Sequence, residues 1–85
     1  MKREEINKRV ASAIADVLGH DLNVISQQSD LVEDLGADSL DAVEILMMIE
    51  DEFSIHIPDG DLQEYRDKVH TVKDVCDLVE KCITN

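Results

Sequence analysis

The chain has 85 residues, enough for one small domain with a single core. Apolar residues make up 44% of it and aromatics only 2%, so the core it can build is aliphatic. Twenty acidic side chains against eight basic ones leave a net charge of -12, which argues against nucleic acid and anionic membranes as partners and favours basic protein surfaces.

Ile6, Val10, Ala13, Ile14, Val17 and Leu18 recur at steps of three and four and predict a first helix. Gly19 follows where a helix end favours it. Residues 20–38 show no sustained period. So long a loop in so small a domain must be functional or fastened down, and Leu22, Val24, Ile25, Leu31 and Leu35 are expected to pin it to the core. A second helix is predicted from Ser39 to about Phe53, after Gly36 and with Asp38 as its N-cap. Pro58 closes off the connection behind it, and Asp59 to Tyr65 has room for one or two short helical turns. A last helix follows from Thr71, with Val72, Val75, Cys76, Val79, Cys82 and Ile83 on one stripe.

No segment alternates with period two, so no strands are expected. The fold class is all-α: a bundle of three main helices plus one short helix, with a long loop between the first two, forming a single domain over residues 1–85. The longest apolar run, Ile45-Leu46-Met47-Met48-Ile49, is far short of a membrane span. No apolar stretch after Met1-Lys2-Arg3-Glu4-Glu5 could serve as a secretion signal. A cytoplasmic location is expected, with a mature organellar form as the alternative. Cys76 and Cys82 are six residues apart, about 9 Å along a helix axis, too far for an undistorted disulfide. Both read as small buried apolar residues, and nothing has a zinc-site spacing.

The second helix carries two apolar faces. At about 100° per residue, Ala42, Ile45, Leu46, Ile49 and Phe53 fall within an arc of roughly 100°, suited to the core. Leu40, Val43 and Met47 form a separate strip, with Ser39 and Glu50 on one side and Glu44 and Asp51 on the other. That strip either packs under the long loop or is an exposed apolar surface rimmed by carboxylates, a shape suited to a partner protein.

Ser39 poses the chemical question. An acyl-transfer serine needs a base and an oxyanion site, yet no spacing ties His20, His56 or His70 to it, and its surroundings are not a G-x-S-x-G elbow. A calcium loop fails as well: aligned on Gly60 its first ligand positions become Ile55, Ile57 and Asp59, and aligned on Gly36 they become Leu31, Glu33 and Leu35. A third possibility is that Ser39 accepts a group. At the first turn of a helix, free backbone N–H groups and the positive dipole end favour an attached phosphate, and a separate enzyme can supply the base.

The stretch DLGADSLDAVEILMMIEDEF, followed by Ile57-Pro58, resembles the acyl carrier proteins of the fatty-acid-synthesis type. The match centres on Gly36-Ala37-Asp38-Ser39-Leu40 and is close over residues 30–58; the outer helices agree in length and pattern. The resemblance implies a non-enzymatic carrier in which Ser39 bears a covalent 4′-phosphopantetheine arm, donated from coenzyme A by a phosphopantetheinyl transferase. The arm's thiol holds acyl groups as thioesters, so neither cysteine of the chain is the carrier thiol. It further implies a monomer whose second helix, 39–53, is the recognition element. Asp38, Asp41, Glu44, Glu50 and Asp51 would meet basic patches on acyl-processing enzymes, while Leu40, Val43 and Met47 dock in apolar hollows. Two departures stand out: residues 59–71 run a few residues longer and less acidic than the housekeeping pattern, and Met48 is large where many relatives have a small residue. A specialised carrier for a polyketide or another acyl or aminoacyl pathway is the alternative within the class, and an unmodified acidic helical adaptor the alternative outside it.

Overall fold

The computed structural model describes residues 1–57 and 69–84. Among these residues three helices follow one another: α1 (Arg3–Leu18), α2 (Ser39–Phe53) and α3 (Val72–Thr84). A single 3-10 turn (Leu22–Val24) lies in the loop between α1 and α2. Among the described residues there is no strand, only an isolated bridge between Asp30 and Thr71. The short fourth helix expected within Asp59 to Tyr65 lies outside the described residues.

The core is aliphatic, as the composition requires. Ile6, Val10, Ala13 and Ile14 of α1 meet Ile45 and Ile49 of α2 and Val72, Val75, Cys76 and Val79 of α3, with Leu31, Leu35 and Ala37 added from the loop. Phe53 is packed against this cluster but only partly buried. α1 packs broadly against both α2 and α3, whereas α2 and α3 approach each other far less. Ion pairs reinforce the contacts of α1. Arg3 pairs with Asp77 at 2.7 Å and Glu80 at 3.6 Å on α3. Arg9 reaches Glu52 at 3.9 Å and lies 5.9 Å from the centre of the Phe53 ring. The Arg3 hydrogen bond holds the Asp77 carboxyl below the usual carboxylate range.

Loop 20–38 is fastened mainly by its backbone. Leu31 N–H donates to the His70 carbonyl at 2.8 Å, while Val72 and Lys73 N–H donate back to Ser29 and Gln27. The Asp30 carboxylate accepts from the Val32 and Glu33 amides, and His20 Nε2–H donates to the Leu35 carbonyl at 2.9 Å. Leu31 and Leu35 are buried and Ile25 is packed on the core, as expected. Leu22 and Val24 are not: they are 48% and 57% exposed, because the 3-10 turn carries both outward and leaves Ile25 to make the contact.

The start of α3 also differs by one residue from the expected Thr71. Thr71 and Asp74 cap each other instead, Thr71 N–H donating to Asp74 Oδ2 at 3.0 Å and Asp74 N–H to Thr71 Oγ1 at 3.2 Å. The His70 backbone N–H, which reaches the same carboxylate, does most to hold Asp74 below its ordinary pKa.

Cys76 is buried, but Cys82 is only half-buried, since the stripe of α3 runs out at the helix end. Burial pushes both thiols above their ordinary pKa, which lowers the thiolate fraction at neutral pH. The native unmodified chain is therefore expected to react slowly with Ellman's reagent at pH 7, half-buried Cys82 ahead of Cys76, with buried Cys76 appearing only on denaturation. A fast-reacting thiol before any group is attached would contradict this.

Candidate functional site

The first turn of α2 is set up by the residues before it. Gly36 has φ +75°, a left-handed conformation that costs glycine little and other residues more. That bend lets Ala37 N–H return to the Leu31 carbonyl at 2.8 Å, burying Ala37 and turning the chain into the helix. Asp38 then caps α2 as expected: Asp41 N–H donates to Asp38 Oδ1 at 2.9 Å, and Asp38 N–H donates to Asp41 Oδ2 at 3.1 Å. Both carboxylates are thereby committed to the helix start. Ser39 follows in the first turn with its side chain exposed. Its backbone N–H and that of Leu40 take no partner among the described residues, as is usual for the first amides of a helix.

Ser39 stands at the edge of an open cleft of about 510 Å³. Leu31, Val32, Ala37, Ala42 and Val69 give the cleft an apolar wall, and Asp38 and His70 supply the other polar groups. His70 is the residue that sequence reasoning missed here. It is 31 positions from Ser39, and only the backbone pairing of residues 70–73 with the loop brings it alongside; no local pattern signals that. No hydrogen bond joins His70 to Ser39 among the described residues, so the serine has no base in place. A second cleft of about 300 Å³, lined by Lys8, Arg9, Leu22, Met48 and Glu52 among others, lies between α1 and α2 and does not include Ser39.

On the outer face of α2, Leu40 is 75% and Met47 62% exposed, and Val43 is half-buried beside them. Of the two arrangements open to this strip, most of it therefore faces outward. Glu44 and Asp51 are exposed along one border and form no ion pair among the described residues. Glu50 behaves differently. Its carboxylate accepts the Ile57 N–H at 2.8 Å and lies 3.4 Å from His56 Nδ1, fixing the turn after α2. On the core face, Ile45 and Ile49 are buried, while Ala42, Leu46 and Phe53 are half-buried.

The residues present suit a phosphodiester on Ser39: an exposed hydroxyl, two amides at a helix start that take no partner among the described residues, and an apolar cleft alongside. No cluster of potential metal ligands occurs among the described residues. Among them, too, no helix is long and apolar enough to cross a membrane.

Residues 8–79 match the family described as the phosphopantetheine attachment site. The acyl carrier protein of Thermotoga maritima is 42% identical over 79 residues, covering 93% of both chains. That of Syntrophobacter fumaroxidans is 42% identical over 73 residues, covering 86% of this chain and 85% of its own. That of Thermosynechococcus vestitus is 40% identical over 79 residues, again covering 93% of both. By this family match and these identities, this chain belongs to the acyl carrier proteins, carriers rather than enzymes, whose attached group is a covalent 4′-phosphopantetheine.

Proposed function

We propose that Ser39 bears the 4′-phosphopantetheine arm and that the protein delivers acyl groups to enzymes of fatty-acid and lipid synthesis in the cytoplasm. The observation that carries this reading is the exposed Ser39 hydroxyl on the first turn of α2, at the edge of an apolar cleft. In the loading step the Ser39 oxygen forms a bond to the pantetheine-side phosphorus of the coenzyme A pyrophosphate, its proton passes to a base on the transferase, and the bond from that phosphorus to the bridging oxygen breaks, releasing adenosine 3′,5′-bisphosphate. When bound, the arm supplies a thiol on which acyl groups are held as thioesters. The chain's own part is to present the hydroxyl, shelter the cargo and dock the enzymes. Purification from the native cell, followed by mass spectrometry of the Ser39 peptide, tests the pathway. Straight-chain acyl groups support it; polyketide or aminoacyl cargo points to a specialised carrier, and an unmodified serine to an adaptor.

The cleft wall of Leu31, Val32, Ala37, Ala42 and Val69 suits a carried chain better than water does. A saturated chain gains about 0.8 kcal/mol for each CH₂ buried. Melting temperature should therefore rise stepwise as the acyl group lengthens, up to the capacity of the cleft. Equal melting temperatures for short and medium chains would mean that the chain stays outside.

Docking is assigned to Leu40, Val43 and Met47 with the acidic border of Glu44 and Asp51. Asp38, Asp41 and Glu50 add negative charge nearby while serving the fold. Border charges act mainly by steering encounter and fade with salt, whereas buried apolar contacts act on dissociation. Glu44→Lys should slow loading by the transferase most at low salt. Val43→Asp should weaken docking at every salt concentration, because it puts a charge into a desolvated contact. A silent Glu44→Lys, alongside a damaging charge reversal at Asp16, would move the docking face to α1.

A further inference from the structure

The cleft beside Ser39 has an uneven charge. A phosphodiester attached there would bring a further negative charge to a chain of net charge -12, close to the Asp38 and Asp41 carboxylates of the helix cap. Among the described residues lining the cleft, His70 alone can carry a positive charge. Its backbone is held on both sides: the carbonyl accepts Leu31 N–H at 2.8 Å and the N–H donates to Asp74 Oδ2 at 2.9 Å. The imidazole itself is exposed and makes no hydrogen bond among the described residues. His70, its backbone so held, thus lines the cleft that opens at Ser39.

We infer that His70 is a contact for the phosphodiester of the loaded arm, donating to it from the cleft wall and directing the arm along the apolar side of the cleft. The inference rests on the proposal that Ser39 is the attachment point. A protonated imidazole beside a phosphate oxygen makes a charge-assisted hydrogen bond, stronger than the neutral one. The neutral ring can still donate from one nitrogen, so the contact is strengthened by mild acidity rather than created by it. Among the described residues, the charged groups around His70 are Asp74 on α3, Asp38 at the cap of α2 and Asp30, whose residue pairs with Thr71. Lys73 on the next turn is engaged with Asp77 at 3.2 Å. Loading therefore changes the charge near His70 and leaves the other two histidines in their settings. His20 is bonded to the Leu35 carbonyl, and His56 lies beyond the far end of α2, against Glu50.

The test compares the whole protein before and after treatment with a phosphopantetheinyl transferase and coenzyme A, with loading verified by intact mass. Proton–carbon NMR follows the imidazole titrations, and phosphorus NMR follows the attached diester. The His70 midpoint should rise by about 0.5 in pH or more on loading, while His20 and His56 stay put. The phosphorus shift should move through the same midpoint, although the diester does not itself titrate there, and should become flat across neutral pH in His70→Gln. Full loading with an unmoved His70, or with all three histidines moving alike, overturns this inference alone. Absence of any mass gain overturns it together with the assignment of Ser39.

Discussion

Ser39→Ala is expected to fold like the parent chain and to gain no mass when incubated with a phosphopantetheinyl transferase and coenzyme A. The two halves of that result have separate physical grounds. The start of α2 is held by the reciprocal hydrogen bonds of Asp38 and Asp41 and by the left-handed turn at Gly36, and the Ser39 hydroxyl takes no part in either. Alanine is also the better helix former, by roughly 0.5 kcal/mol, so the melting curve should shift little and, if at all, upward. Loading, by contrast, needs an oxygen that can bond to phosphorus, and the methyl group left behind has none. Circular dichroism and intact-mass analysis of one sample separate the two effects. A variant that is still modified, at whatever residue, removes Ser39 as the attachment point, and one that unfolds shows that the hydroxyl has a structural part.

The second large effect lies in the core. Ile49 is fully buried on the inner face of α2, in the cluster that α1, α2 and α3 share. Removing three carbons there should cost about 2–5 kcal/mol, the range for such truncations in packed interiors. A domain of 85 residues has a total stability of only about 5–15 kcal/mol and sits towards the lower end of that range. Ile49→Ala is therefore expected to lower the melting temperature by at least about 10 °C, and to leave part of the population unfolded at ordinary temperature. Met47→Ala, two residues away on the same helix but 62% exposed, should move stability by no more than about 0.5 kcal/mol. Similar losses for the two variants would contradict the division of α2 into an inner and an outer face.

How much of this was legible in the sequence depended on whether the cause was local. The limits of α2 could be read because Gly36, Asp38 and Asp41 act within a few residues of one another, and cap chemistry leaves a short signature. The inner face of α2 could be read because helical period alone sorts Ile45 and Ile49 from Leu40 and Met47. Loop 20–38 was harder, since hydrophobicity pointed equally to Leu22, Val24, Ile25, Leu31 and Leu35. The selection among them is made by a 3-10 turn and by backbone hydrogen bonds to His70, Val72 and Lys73, more than thirty residues on. The same long-range pairing puts His70 in the wall of the Ser39 cleft. Glu50 belongs to this class too: helical projection sets it on the border of the docking strip, but only the returning chain shows that its carboxylate receives the Ile57 amide.

The unequal packing of the three helices has a mechanical consequence. With α2 and α3 each laid along α1 and touching one another little, the fold resembles two covers bound to one spine. Parting the covers leaves the contacts of each with the spine in place, so room for a guest and resistance to unfolding are set by different surfaces. Substitutions on the facing sides of α2 and α3 can then change what the molecule accommodates while the spine keeps it folded. A covalent staple across the opening would do the reverse, hardening the fold while closing it to any guest.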